Sequence, residues 1–214
     1  MKNEEIAKVL LNKKAIILNA KDPFTFVSGL RSPIYCDNRR MIAYPRERAQ
    51  IVDAFINELK RFDFDIVAGT STAGIPWASW ISDQLYKPLA YIRGSKKGHG
   101  ARNQIEGANA EGRGVIIIED LISTGNSSLC AVEAVREAGG RCAGVVAIFT
   151  YDFEGAIKKF KEASCEFLAI TNFSTLVNVA KENGTLNDNE LAIVQEWNKD
   201  PQGWGQKHGF PDAD

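Results

Sequence analysis

Val115 to Leu129 reads VIIIEDLISTGNSSL: four apolar residues in a row, two adjacent carboxylates, a short turn of hydroxyls and glycine, then the start of a helical pattern. An apolar run of β-branched residues without polar alternation is the pattern of a strand buried on both faces, as in parallel sheets. Beyond the turn, Ser127 to Ala138 carries helical spacing and stops at Arg136 and the Gly139-Gly140 pair, a C-terminal signal. The stretch predicts strand, turn and helix.

Outward from it the same alternation recurs. Short apolar runs at Ile66–Ala68, Leu89–Ile92, Ala143–Phe149 and Phe167–Ile170 predict further buried strands, and Ile75–Leu85 predicts an intervening helix. A helix starting at Pro45 buries Ile51, Val52, Phe55, Ile56 and Leu59, and Ile6, Val9, Leu10 and Ile17 fall near helical spacing at the start, with irregular sequence between the two. Alternating strands and helices imply an α/β fold, a mainly parallel sheet flanked by helices. Ligands of such sheets sit beyond the carboxyl ends of the strands, which directs attention to the loops after Ala68, Ile92, Ile118 and Phe149.

The 214 residues, 44% apolar and 25% charged, fit one globular domain. Its last stretch, about 199–214, reads as a loosely held tail with Trp204 packed on the body. Twenty-six Lys and Arg against 27 Asp and Glu leave a net charge of −1, so no overall field attracts nucleic acid or an anionic membrane. Any anion site must be local. Cys36, Cys130, Cys142 and Cys165 form no C-x-x-C pair, and the first residues have no secretion pattern, so a reduced cytoplasm is expected. No apolar run approaches the ~20 residues of a membrane span.

The turn after Ile118 can offer backbone N–H groups and hydroxyls from Thr124 through Ser128 at the positive end of a helix, a site for a phosphate dianion. Glu119 and Asp120 stand where carboxylates accept hydrogen bonds from neighbouring sugar hydroxyls, beneath a ring that becomes cationic. Together they suggest a ribose phosphate; the plainer alternative is capping and ordinary turn chemistry. There is no G-x-x-x-x-G-K-[ST], and Gly112 and Gly114 precede a strand, so neither common nucleotide motif applies.

After Ile92 comes RGSKKGHGARNQIEGANAEGRG, glycine-rich and without apolar periodicity. It concentrates Arg93, Lys96, Lys97, His99 and Arg102 in a chain otherwise balanced in charge, and reads either as a mobile cationic lid or as a solvated basic hairpin. Flanked by Gly98 and Gly100, His99 is not a packed core residue.

These motifs resemble the type I phosphoribosyltransferase family, and EDLISTG resembles its orotate phosphoribosyltransferases in particular. By that resemblance Glu119, Asp120, Leu121, Ile122, Ser123, Thr124, Gly125, Asn126 and Ser127 hold the ribose 5-phosphate half of phosphoribosyl pyrophosphate, with Ser123 also near orotate. Arg93 through Gly100 is similar to the family's catalytic loop, R-x-x-x-K-x-H-G, which implies that Arg93, Lys97 and His99 bind the donor. Lys97 and His99 then stabilise the departing pyrophosphate, with Glu119 and Asp120 as the other catalytic pair. The turn AGTSTAGIPW implies a pyrophosphate cradle at Thr70, Ser71, Thr72, Ala73 and Gly74, whose small residues allow close backbone approach.

The segment FTFVSGLRSPIYCDNR resembles the family's hood, which implies a hood over about 1–40, a core over about 41–198, and orotate contacts from Tyr35 and Arg31. The resemblance also implies Mg²⁺ held chiefly by the donor's own oxygens, and a homodimer with shared sites. Four departures stand out: Asn126 where a second Gly is common, Gly94 where some members have Lys, Cys36 where some have a second aromatic, and Thr150-Tyr151 where others have Arg. The implied activity is transfer of ribose 5-phosphate to orotate, giving orotidine 5'-phosphate and pyrophosphate, a step of UMP biosynthesis. The alternatives are transfer to another base and a non-catalytic sensor of the donor, for which a basic face would be expected.

Overall fold

The structure is a computed structural model that describes residues 3–26, 28–94 and 104–210. In chain order come helix α1 (Asn3–Asn12), strands β1 (Ile16–Leu18), β2 (Phe24–Thr25), β3 (Arg31–Ser32) and β4 (Ile34–Cys36), and a 3-10 turn over Asn38–Ala43. Then follow α2 (Pro45–Leu59), β5 (Ile66–Thr70), α3 (Gly74–Leu85), β6 (Leu89–Ile92), β7 (Ile105–Gly107) and β8 (Gly114–Ile122). The remainder is α4 (Asn126–Glu137), β9 (Arg141–Thr150), α5 (Glu154–Glu162), β10 (Phe167–Asn172), α6 (Phe173–Glu182), α7 (Asp188–Lys199) and α8 (Trp204–Lys207). These group into two compact units, one of Pro45–Ile170 and one drawn from both ends of the chain, Lys2–Tyr44 with Thr171–Asp214.

The first unit is built on a six-stranded sheet in the order β10-β9-β8-β5-β6-β7. Strands β6, β5, β8 and β9 are mutually parallel, and β7 closes the edge antiparallel to β6. Every residue of β5 is buried, as are Val115–Ile118 of β8 and Val145–Phe149 of β9, which is why these strands read as unbroken apolar runs. Trp77 on α3 is fully buried 6.4 Å from the Phe55 ring on α2. Helix α4 ends as the glycine pair predicts: Gly139 is left-handed, and the Gly140 N–H donates to the Val135 carbonyl.

Three local readings differ from the sequence expectation. Strand β8 continues past Ile118, with Leu121 opposite Phe149 and Ile122 opposite Thr150, so the acidic pair lies within the strand. The glycine-rich stretch contains an unforeseen strand, β7, where Ile105 pairs with Ile92; its stem is a hairpin, in keeping with one of the two readings of this stretch. Ile17 belongs to β1, paired with Tyr35, and the sequence before Pro45 holds four short strands. Two- and three-residue strands are too short to show a period.

In the second unit, α1 packs on α6, burying Ile6, Ala7 and Leu10 with Leu176 and Val177. Trp204, 1% exposed, donates its indole N–H to the Ile193 carbonyl, so the segment entering α8 is anchored within this unit. No helix among the described residues is long and apolar enough to cross a membrane.

Candidate active site

Strands β5 and β8 lie side by side and parallel, with Gly69 opposite Ile118. Their carboxyl ends therefore open on the same edge of the sheet, and the turns after them become neighbours. Close approach is enforced by glycine: a methyl group on Gly74 would collide with the Ile118 carbonyl and stand 2.6 Å from the Thr70 hydroxyl. The Ser71–Thr72 peptide in this turn is cis.

A cleft of about 300 Å³ occupies that edge, lined by Thr70–Ala73, Ile92, Arg93, Gly94, Glu119, Asp120, Asn126, Ser127, Cys130 and Ala131. Residues from the ends of β5, β6 and β8 and the first turns of α4 thus face a single space. This brings together the small-residue turn, the acidic pair, Arg93 and the head of the hydroxyl-rich loop. Leu121 and Ile122 serve as strand residues, Ile122 fully buried, while Ser123, Thr124 and Gly125 form the turn behind the lining. Gly125 is left-handed, with φ of 78°, and precedes the first residue of α4.

The two carboxylates differ in environment. Glu119 is 5% exposed, and its Oε1 accepts from the Thr70 hydroxyl at 2.7 Å and from the Asp120 N–H at 3.1 Å. Its Oε2 accepts from the Ser128 hydroxyl at 3.2 Å. Burial, and then the charge of Asp120 beside it, push its pKa up to about 7, against the lowering effect of the Thr70 and Asp120 N–H bonds. Asp120 is more open.

Arg93 stands at the stem of the β6–β7 hairpin. Its backbone N–H donates to the Gln104 carbonyl at 2.9 Å, the Gln104 side chain returns a bond to the Arg93 carbonyl, and its guanidinium lies 3.8 Å from Glu106. Lys96, Lys97, His99 and Arg102 lie outside the described residues. Arg31 and Tyr35 belong to the other unit, where Arg31 donates to the Thr25 hydroxyl at 2.8 Å and the Tyr35 ring, 39% exposed, is 5.5 Å from that of Phe24. Cys130 and Ala131 have no counterpart among the sequence candidates. They fall four residues after Asn126 and Ser127, on the same helix face, so a helix starting at Asn126 would have placed them at the cleft.

The phosphoribosyl transferase domain model matches residues 46–181, which take in the whole six-stranded sheet. Over 90% of its length the chain is 48% identical to an orotate phosphoribosyltransferase of Staphylococcus saprophyticus, covering 96% of that protein. The chain belongs to the orotate phosphoribosyltransferase family. The fold agrees with that of the family's solved structures. The enzyme from Aeropyrum pernix superposes with a TM-score of 0.72 at 27% identity, over 85% of this chain and 99% of that one. Leishmania donovani UMP synthase gives a TM-score of 0.78 at 30% identity, over 91% of this chain; the chain spans only 42% of that longer protein.

Proposed function

We propose that this protein transfers ribose 5-phosphate from phosphoribosyl pyrophosphate to orotate, forming orotidine 5'-phosphate and releasing pyrophosphate, in the pathway to UMP. The observation that carries the proposal is the single cleft in which the Thr70–Ala73 turn, Arg93, Asp120 and the Asn126–Ser127 helix start converge. A sugar bearing a phosphate group at each end requires two anion cradles and a carboxylate, and the residue types that line the cleft support that reading.

In the reaction the bond between C1 and the pyrophosphate oxygen breaks and a bond from C1 to the pyrimidine nitrogen forms, with positive charge growing on the sugar as negative charge grows on the leaving group. The loop from Thr124 to Ser128 anchors the 5-phosphate, and the turn from Thr70 through Gly74 offers backbone donors to the pyrophosphate. Asp120 accepts from the ribose hydroxyls and favours the developing cation. Thr70 and Ser128 hold Glu119 beneath it. Arg93, with Lys97 and His99 from the adjoining segment, neutralises the departing oxygens. Ser123, Tyr35 and Arg31 are proposed to bind orotate. Active sites shared across a homodimer complete the reading.

Among the described residues no three His, Cys, Asp or Glu side chains converge as a metal cage. The residues that line the cleft include two hard-oxygen carboxylates, Glu119 and the more exposed Asp120. That donor set fits Mg²⁺, which keeps several waters and is commonly carried by substrate phosphates. When bound, Mg²⁺ supplies charge neutralisation on the pyrophosphate.

The direct test supplies phosphoribosyl pyrophosphate and Mg²⁺ and follows loss of orotate, beside uracil, guanine and hypoxanthine. Orotate should be consumed at least about tenfold faster than any other base, a margin worth about 1.4 kcal/mol in the transition state. A preference for a purine or uracil refutes the choice of base. Turnover of none, with tight and salt-sensitive nucleic-acid binding, would make the protein a regulator.

A further inference from the structure

Helix α5 is the floor of the phosphate loop. A methyl group on Gly125 would stand 3.0 Å from Cε2 of Phe160 and 3.7 Å from Cβ of Ala156, so the loop's left-handed residue rests on this helix. Lys159 lies three residues after Ala156, a helix neighbour of it, at the exposed margin of α5 beside the turn. Its Nζ donates to Oδ1 of Asn126 at 2.7 Å and to the Thr124 carbonyl at 3.4 Å. The two acceptors flank Gly125 on either side, so one ammonium ties both arms of the turn to the helix below.

Two features set this apart from an ordinary surface lysine. Both of its acceptors are uncharged, and among the described residues no carboxylate pairs with Lys159, so its full charge remains beside the loop. Lysine also has no acceptor capacity, so the Asn126 amide must turn its oxygen toward Nζ, leaving its NH₂ group as the donor on the other side. Asn126 lines the cleft. A position where the family commonly has Gly thus gains a side-chain donor of fixed orientation.

We infer that Lys159 is a positioning residue for the 5-phosphate of the donor: it orients the Asn126 amide so that its NH₂ group faces the phosphate, and it holds the turn with its backbone N–H groups available. The inference rests on reading Thr124–Ser127 as the 5-phosphate cradle. It names a residue that sequence motifs pass over, because Lys159 lies on a separate helix and in no recognisable pattern.

The test compares the parent with Lys159→Ala, Lys159→Arg, Asn126→Gly and the double variant Lys159→Ala/Asn126→Gly, each assayed with Mg²⁺ for KM toward phosphoribosyl pyrophosphate, KM toward orotate and kcat. In parallel, calorimetry measures binding of ribose 5-phosphate, a probe that carries the 5-phosphate and needs no turnover. Lys159→Ala should raise the donor KM and the ribose 5-phosphate Kd by about tenfold, the worth of one net hydrogen bond to a charged group, while kcat and the orotate KM hold. Lys159→Arg should recover most of the loss. In the Asn126→Gly background the same change should matter by less than about threefold, since the amide it orients is gone. An unchanged donor KM in Lys159→Ala, or an equal effect in both backgrounds, overturns the inference. A parent that binds ribose 5-phosphate without consuming orotate refutes the reading of the base while the calorimetric comparison still decides the role of Lys159. A parent that does not bind ribose 5-phosphate removes the cradle, and the inference with it.

Discussion

Glu119 and Asp120 are adjacent in sequence yet occupy different electrostatic worlds. Burial and the neighbouring Asp120 raise the Glu119 pKa from an ordinary 4.5 to about 7, so below neutral pH the folded protein holds a proton there that the unfolded chain gives up. A raised pKa favours the fold most at low pH: the contribution is complete below about 4.5 and is lost as pH climbs through about 7. The span corresponds to a change on the order of 3 kcal/mol. Glu119→Gln retains an oxygen for the Thr70 hydroxyl and the Asp120 N–H and supplies an amide to Ser128, without the ionisation. Urea denaturation at a series of pH values should therefore show the parent losing stability relative to Glu119→Gln between about pH 4.5 and 7, and in Asp120→Asn that loss should be smaller and end at a lower pH than in the parent, because the second cause of the raised pKa is gone. Parallel stability curves for parent and Glu119→Gln would sink this account. The pair was legible in the sequence as two carboxylates at a strand end. Their inequality was not, because it comes first from the burial of Glu119, which is set by tertiary packing that brings Thr70, 49 residues away, and Ser128 of the helix against its carboxyl.

At the scale of elements, the unit of construction is strand β8, its turn and helix α4, with α5 beneath. Gly125 is the joint: it holds a φ of 78° and its missing side chain makes room for Phe160. Gly125→Ala imposes the left-handed penalty on a residue with a Cβ, on the order of 1–2 kcal/mol, and requires the Phe160 ring to yield. Chemical denaturation should show that loss, and donor KM should rise with it because the turn can no longer settle on α5. A variant within a few tenths of a kcal/mol of the parent would mean that the turn relaxes freely and that its shape is not set by this contact. Most of this layer could be read directly. Apolar runs at Ile66, Leu89, Val115, Ala143 and Phe167 each became a strand of one sheet; in the central strands β5, β8 and β9 burial on two faces leaves an uninterrupted apolar signal, whereas β6 alternates exposed and buried residues. What stayed hidden had no such signal: β7 offers Ile105 as its one large apolar residue, β1 to β4 are too short for a period, and the seat of Lys159 under the turn depends on tertiary packing.

Over the whole molecule, a net charge of −1 requires that attraction for a polyanionic donor be local, and the sequence concentrates its cations between Arg93 and Arg102. Arg93 opens on the cleft; Lys97 and His99 belong to the segment that follows it. The proposal that this segment serves the site of a partner subunit makes a demand that no property of a single chain can meet. Lys97→Ala should lower kcat by on the order of 100-fold, as loss of one transition-state donor does, and Asp120→Ala should be comparably impaired from within the cleft. If each site takes Lys97 from one subunit and Asp120 from the other, a hybrid dimer of the two variants places both defects in one site and leaves its second site intact. Random mixing in equal amounts then restores on the order of a quarter of parental activity, since half the dimers are hybrids and each has one sound site of two. Native mass spectrometry establishes that hybrids have formed, and activity is read on the same mixture. Hybrids present without recovery would place Lys97 and Asp120 of each site on the same chain, and the partner would then contribute nothing to the chemistry through this segment.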